Sequence, residues 1–337
     1  MNTIHHVTDN SNQQLVEPRK SFAELMRRWL ILLVGFATWF ASWWAFCADG
    51  RAALPEIVGF RVGVSGAYKL GLWTPVWIQL RSGTAGAAGK LRVTLPDDEG
   101  GPYSLCSDPI APSANETRDI EMLVQIGRPR ATVTVCWESE DGSSVEKVFQ
   151  VGGEAFPPPV TARTPVFVWL GPSQPPQVIL GRRGEKGHWV WVKNPEHLPT
   201  RFLGYQCARC VVLAINDDKE FHQVLKRADK QMTALRDWVH SGGKVVVSLG
   251  PEGKTLLSEN GCLAWTAPGN WQNTIVLRKF AGIESYVDSP RPIVMRRSDA
   301  PLQAHQFGNL EGIVMAKEGN IPLVVRRQLG LGTVVFF

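Results

Sequence analysis

Two overlapping stretches near residue 250 contain residue types that could do chemistry. Ser248 closes the apolar run KVVVSLG (244–250), and a serine becomes a nucleophile when a base lies within hydrogen-bonding reach. The stretch SLGPEGKT (248–255) fits a phosphate-binding G-x-x-x-x-G-K-[ST] loop except at its first position, where Ser248 replaces glycine. Pro251 removes a backbone N–H donor that such a loop needs, so we interpret this match as chance.

The residues before Ser248 predict a helix followed by a strand of a parallel sheet. Asp217 and Asp218 begin a capping-box-like start, and apolar residues then recur at steps of three and four up to Gly242. The apolar strand that follows is typical of a parallel sheet that is covered on both faces. Such sheets bind ligands at the carboxyl ends of their strands, so the candidate binding residues are Asn216, Asp217, Ser248 and Gly250.

The cysteines and histidines indicate no cofactor and no metal site. Cys207 and Cys210 form a C-x-x-C motif, but it precedes a strand and lacks the helix N-terminus that activates redox thiols. Cys262 is a lone third candidate for a zinc site that would need four ligands. Cys106 and Cys136 lie in the same β-rich region and are a candidate disulfide pair, although connectivity cannot be deduced from sequence.

The composition is that of a globular protein with no affinity for nucleic acid. The chain has 337 residues, of which 44% are hydrophobic and 20% charged, and its formal net charge is +5. Lysine and arginine are scattered rather than clustered in a stripe. We therefore exclude nucleic acid as a partner.

An uncharged run, WLILLVGFATWFASWWAFCA, covers residues 29–48 and follows Arg27 and Arg28. About 20 apolar residues suffice to cross a bilayer, so this run predicts a transmembrane helix or signal anchor. The positive-inside bias places residues 1–28 in the cytoplasm as a disordered segment and the main body outside it. A cleaved signal peptide ending at Ala45-Phe46-Cys47 is the alternative, and the length of the run favours the anchor.

Changes in pattern suggest three further parts of the chain. Alternating apolar residues over 49–155 predict a β-sandwich of roughly seven strands. FPPPVTARTP, within 156–165, predicts a proline-rich linker. Strand and helix patterns over 166–337 predict an α/β domain, and its truncation is left open because the last residues read as an apolar strand. The predicted fold class is α+β multidomain.

Several segments together resemble a group of uncharacterised bacterial envelope proteins. These segments are GAYKLGLWTPVWIQL (66–80), LPTRFLGYQCARCVVLAI (198–215), MTALRDWVHSGGKVVVSLG (232–250) and GLGTVVFF (330–337). Proteins of that group combine a membrane anchor, an Ig-like β-sandwich and a domain similar to class I glutamine amidotransferases. The resemblance implies a flavodoxin-like α/β domain, often without catalytic residues.

The resemblance also implies where an amidotransferase nucleophile would lie. Working members carry a G-x-C-x-G elbow and a downstream His-x-Glu. Here Ser248 stands at the cysteine position, Val246 replaces the first glycine, and the only downstream histidine, His305, is not followed by x-Glu.

We therefore expect a non-catalytic, membrane-anchored extracytoplasmic protein that serves as an interaction or sensing module of the cell envelope. Its partner would be an unknown envelope protein or a glycan, and the membrane would be contacted through a single N-terminal span. The alternative is a degenerate hydrolase or amidotransferase that uses Ser248 at the strand tip.

Overall fold

The fold was obtained as a computed structural model, which describes residues 54–84, 86, 88–153, 155–175, 187–295 and 301–337. Strands account for 43% of these residues and helices for 17%. Strands that bury one face dominate because apolar residues mostly alternate with polar ones along the chain.

Seven strands form the N-terminal half of the described chain: β1 (Glu56–Val62), β2 (Trp73–Arg81), β3 (Gly89–Pro96), β4 (Pro102–Cys106), β5 (Thr117–Gln125), β6 (Thr132–Ser139) and β7 (Ser144–Gln150). They make two antiparallel sheets, ordered β1-β2-β5 and β4-β3-β6-β7. Both sheets contribute to one hydrophobic core.

The sandwich core follows from period-2 alternation. Val133, Val135 and Trp137 on β6 are completely buried, whereas the residues between them are partly exposed. This agrees with the β-sandwich that was predicted from the same residues. The proposed limits of the sandwich (49–155) and of the linker (156–165) stay predictions.

Nine further strands follow: β8 (Val166–Leu170), β9 (His188–Val192), β10 (Ala208–Ile215), β11 (Lys244–Leu249), β12 (Asn270–Val276), β13 (Gln303–Gly308), β14 (Ile313–Glu318), β15 (Ile321–Leu329) and β16 (Gly332–Phe336). Seven of them form one sheet in the order β14-β15-β16-β11-β10-β8-β9, and β12 pairs with β13. In this sheet, β16, β11, β10, β8 and β9 run parallel to one another. β15 runs antiparallel to both of its neighbours, β14 and β16.

The helices are α1 (Lys219–Arg227), α2 (Asp229–His240), α3 (Lys254–Leu257) and α4 (Ala281–Tyr286). Asp218 caps α1 by accepting a hydrogen bond from the Phe221 N–H at 2.9 Å. The helix that the sequence predicts as continuous is interrupted at Ala228, which leaves helical geometry (φ −81°, ψ 41°). Gly242 follows α2 with φ +115°, a conformation that glycine adopts without strain.

The sandwich and the seven-stranded sheet share a contact region. Val64 and Ala67, from the connection between β1 and β2, are buried in the hydrophobic core of the large sheet. The carboxylate of Glu121 on β5 accepts the Thr200 backbone N–H at 2.9 and 3.1 Å from its two oxygens.

The predicted α+β multidomain fold with a flavodoxin-like domain is wrong. That layout needs helices on both faces of a mostly parallel sheet. Among the described residues, only α1 and α2 exceed six residues, and after β11 the chain forms strand pairs β12–β13 and β14–β15 instead. The result is a mostly β structure.

The predictions of a transmembrane helix, a signal anchor, a single N-terminal span and single-pass membrane localisation are also corrected. The run 29–48 and the segment 1–28 lie outside the described residues. Within the described ranges, no helix is long and apolar enough to cross a bilayer. The longest, α2, has twelve residues and several charges, against the roughly 20 apolar residues that a span requires.

Candidate functional site

Ser248 lies near the end of β11, where the sequence places it, and lines a small cavity. The cavity has a volume of about 110 Å³, and His305 is the only titratable side chain among its lining residues. Its walls are mainly apolar: Leu277, Ile283, Phe307, Leu323, Val325 and Phe336. Ligand pockets usually measure about 300–1,000 Å³, so this space is too small for a typical substrate.

Both ring nitrogens of His305 are occupied by hydrogen bonds that hold the fold together. The Trp271 indole N–H donates to His305 Nδ1 at 3.1 Å. Because that nitrogen accepts, the proton of the neutral ring is on Nε2, which donates to the Gly250 carbonyl oxygen at 3.0 Å. The imidazole therefore joins β13 to β12 and to the end of β11.

This arrangement leaves Ser248 without a base. Burial lowers the pKa of His305, while hydrogen bonds to the Gly250 and Leu249 backbone act in the opposite direction. The Nδ1 lone pair that could take a proton is already bound by Trp271. In the part of the chain that the structure describes, the Ser248 hydroxyl makes no hydrogen bond, so no group activates it.

Asn216 and Asp217, which follow β10, are brought close to the end of β11 as predicted for adjacent parallel strands. The Asn216 carbonyl oxygen bonds His222 Nε2 at 2.7 Å, and its side-chain oxygen accepts the Asp218 N–H at 3.2 Å. Asp217 Oδ1 accepts the Glu252 N–H at 2.9 Å. These polar groups order the loops at the strand ends.

Gly250 is required by the same packing. Its N–H donates to the Ile215 carbonyl oxygen at 2.7 Å. A Cβ atom at this position would lie 2.4 Å from Asp217 Oδ1 and 3.0 Å from the Asp217 backbone nitrogen. The glycine therefore permits the close approach of two loops, which explains its residue type without a ligand.

A larger crevice of about 500 Å³ opens at the carboxyl ends of β8 and β9. Its lining includes Ser65, Trp191, Lys193, Asn194, His197, Asp218, Glu220 and Phe221. Sequence analysis missed it because these residues come from separate segments, although the rule that ligands bind at carboxyl ends of parallel strands indicates this edge of the sheet.

The walls of this crevice are fixed by local hydrogen bonds. The Trp191 indole N–H donates to the Gly171 carbonyl oxygen at 2.9 Å, and Ser65 Oγ donates to the Trp191 carbonyl oxygen at 3.3 Å. Asn194 Oδ1 accepts the N–H of Glu196. Burial and, to a smaller extent, the charge of Arg61 lower the pKa of His197. The crevice is thus preformed and has the size of a binding pocket.

The candidate disulfide between Cys106 and Cys136 does not form in this structure. Both cysteines are free. Arg92 on β3 pairs with Cys106 on one side and with Cys136 on the other, so a whole strand separates them. Two strand spacings give a Cα separation of about 10 Å, whereas a disulfide needs less than about 7 Å.

Of the remaining described cysteines, Cys207 is buried, and Cys210 and Cys262 are half-buried. Burial raises the pKa of Cys207, Cys210 and Cys262 to about 11 in each case, so their thiolate forms are scarce at neutral pH. Within the described ranges, no group of three or more His, Cys, Asp or Glu side chains could hold a metal ion.

No family model matches the chain, and no curated protein matches it. Several solved structures, among them the following three, are similar to parts of it. The Northeast Structural Genomics Consortium target SoR45 is 12% identical over 31% of this chain and 88% of its own, with a TM-score of 0.23. The sporulation control protein Spo0M from Bacillus subtilis is 11% identical over 28% of this chain and 49% of its own, with a TM-score of 0.18.

A Bacteroides uniformis β-glucuronidase is 10% identical over 60% of this chain and 34% of its own, with a TM-score of 0.25. Likenesses at this level define no shared fold. The resemblance to amidotransferase-like envelope proteins therefore stays a prediction.

Proposed function

We propose that this protein is a non-catalytic binding module. The observation that carries the proposal is the hydrogen bonding of His305. Trp271 and Gly250 occupy both of its ring nitrogens, although it lines the same cavity as Ser248. A serine without a base is a weak nucleophile, so the strand tip lacks the pair that hydrolysis or amide transfer requires.

The alternative of a degenerate hydrolase has one feature in its favour, which is the presence of Ser248 and His305 on one cavity. The small, mainly apolar space opposes it, because a carbonyl substrate and its leaving group need more room than about 110 Å³. The crevice lined by Trp191 has the volume of a ligand pocket and rigid walls, which suits binding.

The proposal is tested by activity assays on the purified protein and on the Ser248→Ala variant. L-Glutamine and p-nitrophenyl acetate serve as substrates, since they cover the amidotransferase and esterase alternatives. We expect the same background rate for both proteins. A rate well above buffer that disappears in Ser248→Ala and recovers in Ser248→Cys would establish an enzyme and refute the proposal.

A further inference from the structure

The outer edge of β5 carries backbone groups that lack partners. β5 pairs with β2 over nine residues without a register shift. At Gln125, the backbone N–H donates to the Tyr103 hydroxyl oxygen at 2.8 Å, and the carbonyl oxygen accepts from the same hydroxyl. The backbone groups of Gln125 therefore point away from β2.

Because backbone direction alternates along an antiparallel strand, the N–H and C=O groups of Asp119, Glu121 and Leu123 point the same way as those of Gln125. Within the described part of the chain, these groups have no hydrogen-bond partner. Three successive donor–acceptor pairs are thus open on one strand edge, at the spacing that an added strand would use.

A groove runs along this edge, and we call it the β5 groove. Its volume is about 530 Å³. One wall belongs to the sandwich interior and is apolar, with Leu105, Ile110, Ile120 and Met122. The other wall contains Arg201 and Leu203, at the start of the 3-10 turn Phe202–Tyr205. An extended chain in this groove would place alternate side chains against the two walls.

Four charged side chains line the groove, namely Asp108, Arg118, Glu121 and Arg201. Arg118 makes no ion pair or hydrogen bond to any described residue. It precedes Ile120 and Met122 at alternate positions, on the same side of β5. Glu121 is engaged by the Thr200 N–H and interacts with Arg201. A bound strand would therefore face two apolar positions and then a cationic one.

Two other sheet edges, β1 and β14, carry features that block strand addition. β1 has a register shift at Ile57 and Gly59, and the Lys147 ammonium group of β7 donates to the Ile57 carbonyl oxygen at 2.8 Å. β14 has two register shifts and a lysine at position 317. β5 (TRDIEMLVQ) contains neither a register shift nor a proline or lysine, so its backbone groups stay in register for an added strand, although it carries the charged residues Arg118, Asp119 and Glu121.

We propose that the β5 groove binds an extended segment of another protein by strand addition. The segment would carry apolar side chains at two alternate positions, opposite Met122 and Ile120, and an acidic side chain at the next alternate position, opposite Arg118. It runs antiparallel to β5, as all strand pairs of the sandwich do. The inference deepens the proposed function and rests on it, because it names the partner of a module that works by binding.

The test uses the reporter peptide Thr-Val-Thr-Val-Thr-Glu-Thr, labelled with fluorescein, and its fluorescence anisotropy on titration with the full chain. We expect it to bind at least about 10-fold more tightly than the same peptide with lysine in place of glutamate, because Arg118 attracts one charge and repels the other. Arg118→Glu should reverse this preference. Equal binding of the two peptides would refute the assigned partner chemistry.

Leu123→Pro and Leu123→Ala are a matched pair for the backbone contribution. Proline at 123 removes an outward N–H and leaves the bonds to β2 in place, whereas alanine keeps that N–H. We expect Leu123→Pro to weaken peptide binding at least about 10-fold and Leu123→Ala to weaken it less than about 3-fold. Binding that is equal in the two variants would overturn strand addition.

A measurement that needs no protein variant covers the case in which Leu123→Pro fails to fold. Peptides N-methylated at the residues whose backbone N–H groups point towards β5 should lose binding. Peptides N-methylated at the intervening residues, whose N–H groups point away from β5, should keep it. Identical effects of the two methylation patterns would contradict the proposal. Self-association of the chain that competes with the peptide and disappears in Leu123→Pro would show that a second copy, rather than another protein, occupies the groove.

The outcome is separable from the activity assays. Hydrolysis by the wild type that is lost in Ser248→Ala would refute the proposed non-catalytic function, and the peptide-binding results would stay as they are. Failure of peptide binding would refute strand addition at the β5 groove and would not affect the conclusion that Ser248 lacks a base.

Discussion

The tip of β11 and the free edge of β5 differ in which polar groups are left without partners. Around the tip, Asn216, Asp217 and both ring nitrogens of His305 form hydrogen bonds that join neighbouring loops and strands. At the β5 edge, backbone groups of consecutive outward residues stay unpaired in the described part of the chain. Residue types that suggest chemistry can thus serve structure, while the β5 edge keeps backbone donors and acceptors open.

Deleting His305 should have the largest effect on stability, because the tip depends on it for packing and for hydrogen bonds. His305→Ala leaves the Trp271 N–H and the Gly250 carbonyl oxygen without their partner and opens a cavity. We expect a loss of about 2–4 kcal/mol in the free energy of unfolding, measured by urea denaturation.

Ser248→Ala is the matched control at the same tip, with an expected change below about 0.5 kcal/mol. If the two variants were equally stable, His305 would not be the residue that closes the tip, and its availability as a base would have to be reconsidered.

Glu121→Ala should have the next largest effect on the free energy of unfolding. It tests whether the Glu121 carboxylate contributes to stability more than an exposed carboxylate of the same strand. The substitution removes the acceptor of the Thr200 N–H at the contact between the two cores. We expect a loss of about 1–2 kcal/mol in thermal or urea unfolding. Asp119→Ala, on the same strand face, breaks the exposed ion pair with Arg61 and the exposed hydrogen bond from Gln79, and it should cost less than about 1 kcal/mol. The reverse order would contradict the geometry described for β5.

Stability should fall when the pH drops below about 6.5, with His305 as one source. Its pKa is lowered in the folded protein by burial, so the unfolded chain binds more protons between that depressed pKa and the ordinary value of 6.5. The stabilisation is present above 6.5 and is lost as the pH falls through this window. Because the ring stays packed, the effect should be smaller than that of His305→Ala.

Urea midpoints at several pH values, compared between the wild type and His305→Gln, would measure the contribution of His305 to the pH dependence of stability. The raised pKa of Glu121, caused mainly by burial, acts in the opposite sense, since a folded state that binds protons more tightly gains stability as the pH falls. A pH dependence that is identical in wild type and His305→Gln would exclude the histidine as its source.

The smallest effect on stability is expected for modification of Cys106, which is exposed and lines the β5 groove. Among the described cysteines, Cys106 should react fastest with a thiol reagent in the folded state, whereas Cys207 should react only on unfolding because burial raises its pKa to about 11. Peptide mapping of the labelled protein gives the order. Prior binding of the reporter peptide should slow the labelling of Cys106, and unchanged labelling would argue against occupancy of the groove.

Much of the local structure could be predicted from the sequence. The alternation of Val133, Val135 and Trp137 predicts a half-buried strand, and Ser248 lies near the end of a parallel strand as expected. The flavodoxin-like layout was wrong because the chain after β11 forms short antiparallel pairs, which the apolar pattern did not reveal. The β5 groove could not be predicted, since a strand becomes an edge only through its position in the sheet.

The hydrogen bond between Glu121 and Thr200 has a consequence for how occupancy of the groove would be felt. It ties the rear of β5 to the segment that leads into the opposite wall, so the two walls come from elements packed on different cores. A bound strand would contact both walls and restrict their relative motion. Amide hydrogen exchange around residues 200–206 should then slow together with that of β5. Binding at the sandwich would in this way change the rigidity of the neighbouring part of the large-sheet core without changing its shape.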